Sequence, residues 1–104
     1  MKIWVSIPER LHLMGILPKE GNFLTLRVTR ELIAKVGFSA EEITDYEIKE
    51  ENGLVRWSPD KKTIKEIEFL DSEIDIIKLA LIKLDKEQKL DMNTFAIYEK
   101  FMFG

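Results

Sequence analysis

His12 is the only histidine among the 104 residues, and histidine is the side chain whose unperturbed pKa lies nearest neutrality, so any general acid–base chemistry would start there. It stands between Leu11 and Leu13 in LHLMGILPKEGNFLTL (residues 11–26), with no serine, cysteine or paired carboxylate close by in the sequence. A working site requires several such partners, which makes His12 a surface or half-buried residue without catalytic duty. The Pro18-Lys-Glu-Gly-Asn turn resembles a phosphate loop only in composition. A Walker loop needs four residues between its glycines and a following Lys-Ser/Thr, and a dinucleotide loop needs three spaced glycines after a strand; Gly15 and Gly21 fit neither. Asp71, Glu73 and Asp75 alternate like calcium ligands, but the glycine and terminal glutamate of an EF-hand loop are missing. Capping and dipole compensation at a helix start account for them. Neither Asp60 nor Glu50-Glu51 marks a hydrolase pair, since such chemistry depends on spacing in space. The expectation is no catalytic residue, no metal ligand and no cofactor.

Two other groups point to binding. Arg27, Arg30 and Lys35 fall on one expected helix and are placed to meet phosphates, and a helix followed by a hairpin invites comparison with a winged helix. Against that stands the charge distribution. Residues 1–37 carry +3, residues 38–60 carry −5 and residues 61–104 carry −1, for a net −3; a nucleic-acid binder is expected to show a clustered basic footprint instead. The second group is apolar: Trp4, Trp57, Phe69, Phe101, Met102 and Phe103 are more large side chains than one small core readily holds, and Trp4, Trp57, Phe101, Met102 and Phe103 are the candidate protein interface.

The elements that must position these residues follow from periodicity and caps. Lys2 to Ile7 alternates as a short strand, with Ile3, Val5 and Ile7 on one side and Trp4 on the other. Ser6 and Glu9 form a capping box, with Pro8 at a helix start, for a helix from about Pro8 to Leu17 that turns Leu11 and Met14 inward, joined by Leu13 and Leu17. Pro18 ends it, so PKEGN is a connector between helices. Asn22 caps a second helix whose positions Leu26, Leu32, Ile33 and Val36 recur at helical spacing up to Gly37.

Ser39 and Glu42 repeat the capping box over a short helix to about Asp45. YEIKEENGLVRW then reads as a hairpin around Asn52-Gly53, with Tyr46 and Ile48 on one face of its first strand and Val55 and Trp57 on one face of its second. Ser58-Pro59-Asp60 turns the chain, and TIKEIEFL offers a third strand with a late start or a bulge. Asp71 is the expected cap of the longest helix, Ser72 to about Lys89, with Ile74, Ile77, Leu81 and Leu84 as its stripe. Asp91 caps a last helix that presents Phe95, Tyr98, Phe101 and Met102 on one face and forms a hairpin with its predecessor.

At 45% hydrophobic residues the chain has enough apolar surface for one domain spanning 1–104. Absence of cysteine excludes a disulfide framework and thiolate zinc ligation. MKIWVSIPERL is too short and too soon interrupted for a secretory or spanning segment. The expectation is a cytoplasmic α+β protein: an N-terminal strand, a helical pair, a central antiparallel β-hairpin or three-stranded sheet, and a C-terminal helix hairpin.

The order of ILPKEGN, the Phe-Ser-x-Glu-Glu turn, the Trp-ending hairpin and the terminal Tyr-Glu-Lys-Phe resembles a group of small phage- and prophage-associated proteins. The resemblance covers most of the chain after the first strand. It implies an accessory phage protein and brings no activity or catalytic residue with it. Together these readings point to a non-enzymatic protein–protein interaction protein that pairs with a protein partner or with itself as a homo-oligomer, with no membrane and no small-molecule substrate. The alternative is a winged-helix-like nucleic-acid-binding regulator using Arg27 and Arg30.

Overall fold

The computed structural model describes residues 1–58 and 63–103, so the expected turn from Pro59 and the carboxylate of Asp60 lie outside the described residues. The architecture is α+β. Strand β1 (Lys2–Val5) buries Ile3 and Val5 and exposes Lys2 and Trp4. Ile7 is not on this strand. Ser6 stops it by capping α1 (Ile7–Ile16) through the full capping box with Glu9, so Ile7 enters the core from the helix. Within α1 it is Leu13 that is fully buried, followed by Leu17 just past its end, whereas Leu11 and Met14 are half-buried.

PKEGN links α1 to α2 (Phe23–Val36), which Asn22 caps by accepting the Thr25 N–H at 2.8 Å. Gly37 ends α2: its N–H donates to the Ile33 carbonyl, and a Cβ there would stand 2.9 Å from that same oxygen, so only glycine fits without displacement. Thr29, Leu32 and Val36 form the buried face; Leu26 and Ile33, expected inside, are exposed. At 100° per residue these two sit at the edge of that face, about 40–60° from Thr29, and α1 and α4 cover only one side.

Helix α3 (Ala40–Asp45) starts at the Ser39–Glu42 capping box. The hairpin is shorter than the pattern suggests, with β2 (Lys49–Glu51) and β3 (Leu54–Arg56) joined at Asn52 and Gly53, whose φ values of 52° and 77° are those of a type I′ turn. Tyr46 and Ile48 are not strand residues. They flank Glu47 at φ 55°, where the Glu47 and Ile48 N–H groups donate back to Thr44 and Ile43 in a Schellman motif.

Among the described residues no third strand joins the hairpin. Strand β4 (Lys65–Glu68), starting late as the phase of Ile64 and Ile67 required, pairs antiparallel with β1, with Ile3 opposite Ile67. The pairing buries Ile67 beside Ile3 and Val5, which the exposed hairpin strands could not do. Helix α4 (Asp71–Lys86) begins at Asp71, and the Asp71 side chain is not its cap: Glu73 accepts the Leu70 N–H at 2.8 Å from within the first turn. Another Schellman motif, with Gln88 at φ 56°, ends α4 before Lys89. Asp91 caps α5 (Met92–Met102), which buries Thr94, Ile97 and Phe101 and leaves Phe95 exposed.

Helices α1, α2, α4 and α5 pack on one another over the β1–β4 sheet, and every buried residue of the core comes from these elements and their immediate ends. Between Gly37 and Glu66 no described residue is buried. The radius of gyration, 14.0 Å, exceeds the ~13 Å of a fully compact chain of this length, as expected if α3 and the hairpin stand out as an arm. Among the described residues no helix is long and apolar enough to cross a membrane.

Candidate protein-interaction face

The exposed side of α2 is the clearest surface with no structural duty. Phe23, Leu26, Arg30 and Ile33 follow one another at i, i+3, i+7 and i+10 and so share a face, about 100° round the helix from the mean direction of the packed Thr29, Leu32 and Val36. Phe23 is 80% exposed, and Leu26 and Ile33 are exposed with it. Arg27 lies alongside, its only ion pair among the described residues a 4.0 Å contact to exposed Glu31 one turn on, worth about 0.3–0.5 kcal/mol. The side chains of Phe23, Leu26, Arg27 and Arg30 enclose a shallow cavity of about 220 Å³. An apolar strip edged by two guanidinium groups suits a partner that is apolar and acidic.

Lys35 does not belong to this face. Its ammonium donates to Glu73 at 2.6 Å, a carboxylate buried at the start of α4, and so joins α2 to α4. The candidate interface residues also separate. Phe101 is core, edge-on to Phe69 at 5.4 Å, and Met102 is half-buried against the same core. The expected aromatic surplus is thus partly absorbed by packing. Trp57 is half-buried after β3. Trp4 and Phe103 are exposed on β1 and just after α5, elements tied by Lys100, which donates to the Trp4 carbonyl and to Glu9.

The residue that sequence reasoning missed altogether is Arg10. It is fully buried, and its guanidinium makes a bidentate pair with Glu42 at 2.6 and 3.0 Å. It also donates to the carbonyls of Val36, at 2.8 Å, and Gly37, and lies 4.2 Å over the Phe38 ring. Arg10 thereby rivets α1 to the end of α2 and to α3. Its hydrogen bonds hold the Glu42 carboxyl down to about 2, with the Ser39 N–H and Lys65 adding to the effect against the cost of burial. Nothing local to Arg10 announces this, because its partners are backbone carbonyls and a carboxylate 26 to 32 positions away.

Burial pushes the Glu9 carboxyl up, but Lys100 and the Ser6 cap outweigh it and leave it below the ordinary glutamate value. The Thr94 N–H, against a small opposing effect of burial, holds Asp91 down, with lesser help from the charge of His12. His12 itself is half-buried in α1. Among the described residues no group of three or more His, Cys, Asp or Glu is placed to hold a metal ion. A cavity of about 480 Å³ lies between the end of α1, Pro18 and the second half of α4; Ile16, Ile76, Leu79 and Ala80 wall it and Lys83 and Lys89 edge it. His12 does not line it. No family model, curated protein or solved structure matches the chain.

Proposed function

We propose that the chain is a small non-enzymatic protein–protein interaction or accessory protein, acting in the cytoplasm, that docks through the exposed face of α2. The observation that carries this reading is the alignment of exposed Phe23, Leu26 and Ile33 with Arg27 and Arg30 on the side of α2 next to its packed face. Large apolar side chains in water on a regular helix face lose nothing structurally when covered, and arginine beside an aromatic is the combination that most often anchors a protein interface. An accessory role also fits the resemblance to small phage- and prophage-associated proteins.

The test is affinity capture from host lysate after nuclease treatment, comparing the wild-type chain with Phe23→Ser/Leu26→Ser. Both positions are exposed, so the variant is expected to fold with a stability change within about 1 kcal/mol. A protein held by the wild type and lost with the variant supports the reading. Binding that vanishes with nuclease overturns it in favour of the second reading, nucleic-acid contact through Arg27 and Arg30. What favours that second reading is that both arginines are exposed within one turn. It has lost Lys35 to Glu73, and two phosphate contacts would give a salt slope of only about −2.

A further inference from the structure

Resting on the reading of α2 as a docking face, we infer that its partner is a second copy of this chain, whose α3 receives it across a two-fold axis. Two surfaces that one molecule exposes are complementary in charge and, among the described residues, no ion pair joins them within it. On α2, Arg27 and Arg30 flank exposed Phe23 and Leu26. On α3, Glu41 and Asp45 are both exposed and, with Ala40 and Thr44, line a shallow depression of about 400 Å³. The third carboxylate of this turn, Glu42, is directed inward and held by Arg10, so α3 is fixed to the body while its acidic side faces outward, exposed.

The spacings match. Residues three or four apart on a helix have Cβ atoms about 5–6 Å apart, so both arginines meet both carboxylates at once. The depression between Glu41 and Asp45 then receives an apolar side chain from the α2 strip. Within one chain Arg27 pairs, among the described residues, only with Glu31, and α3 follows directly on the far end of α2. A two-fold axis across α2 brings the first half of each helix to the α3 of its mate and makes the contact twice, as an isologous interface requires.

The experiment is the sedimentation equilibrium of the wild type, of Arg27→Glu/Arg30→Glu, of Glu41→Lys/Asp45→Lys, and of the two variants mixed. The wild type is expected to be a dimer that weakens as salt rises from about 50 to 500 mM. Each reversal variant alone is expected to be monomeric, and the equimolar mixture to regain the dimer, since both of its contacts are then complementary. Arg27→Gln/Arg30→Gln, which reverses no charge and is expected to keep the fold, should weaken the dimer by about 30-fold, the sum of four modest ion pairs. A dimer indifferent to both reversals, or a mixture that stays monomeric, overturns the pairing. A wild type that is monomeric at millimolar concentration overturns the second copy as partner, while α2-dependent, nuclease-resistant capture would still uphold the docking face.

Discussion

The body and the arm of this molecule are held by different physics. In the body, Leu13, Leu32, Ile77, Leu81 and Ile97 meet with at most 1% exposure, and apolar burial dominates. In the arm, from Gly37 through α3 and the hairpin to Ser58, no side chain is buried. Hydrogen bonds and charge hold it instead: the Ser39–Glu42 capping box, the Tyr46 carbonyl accepting the Ser58 N–H at its base, Lys65 on Glu42, and Arg10 reaching out from α1. An isolated two-stranded hairpin is at best marginally stable in water, so the arm depends on that anchor. The same division separates the two proposed contact surfaces: α2 offers its apolar-basic side from the body, and α3 its acidic side from the arm.

The most severe way to break this arrangement is Arg10→Met. It leaves the Val36 and Gly37 carbonyls without their donor and half-buried Glu42 with only Ser39 and Lys65, and is expected to cost about 3–5 kcal/mol, read as a lower urea midpoint, with hydrogen exchange fastest in α3 and the hairpin. Next comes a matched pair of truncations. Ile77→Ala, in the body, is expected to cost about 2–5 kcal/mol. Leu54→Ala, in the arm where Leu54 is 61% exposed, is expected to stay within about 0.5 kcal/mol. Equal losses would show that the arm packs as the body does.

How much of this was legible in the sequence follows the range of each interaction. Caps act between neighbours, so Ser6–Glu9, Asn22, Ser39–Glu42 and Asp91 all sit where the residue pattern puts them, and Asn52-Gly53 specifies its own turn. The interactions that escaped are nonlocal or chemically unmarked. That β4 pairs with β1 and not with the hairpin is a choice between alternative partners that its own four residues do not encode. Helix α2 carries apolar residues on two sides, and only the packing of α1 and α4 selects which is buried. The candidate docking face is legible only once Phe23, Leu26, Arg30 and Ile33 are taken as a stripe of their own. Arg10, the anchor, has no pattern at all.

Acid separates the two regions more gently. Glu42 has a carboxyl pKa lowered from 4.5 to about 2 in the folded chain. A depressed carboxylate stabilises the fold fully above its unfolded pKa, and the contribution disappears as pH falls through the folded value. The stabilisation is therefore present above about pH 4.5 and lost between there and about pH 2. Glu9 and Asp91 are also depressed and titrate on the body, but the body retains its apolar core, whereas the arm loses its principal tether. The α3 amide resonances are expected to move toward random-coil positions before those of α4 as pH is lowered from 6 to 2. Simultaneous loss would mean the arm has no separate transition.

The smallest effect sharpens the comparison furthest, because the same defect occurs once in each region. Glu47, ending α3, and Gln88, ending α4, both occupy the left-handed position of a Schellman motif, at φ 55° and 56°, where glycine avoids the Cβ strain. Replacing either with glycine relieves about 1 kcal/mol of strain, reduced somewhat by the greater freedom of glycine in the unfolded chain. Gln88→Gly acts on a helix of the core and is expected to raise the thermal midpoint by about 2–4 °C. Glu47→Gly acts on the arm, which opens at lower free energy than the body, so its gain is expected as slower hydrogen exchange in α3 with the midpoint unmoved. An equal rise in midpoint from both substitutions would show that Arg10 couples arm and body into one cooperative unit, with the absence of buried apolar residues in the arm offset by that single anchor.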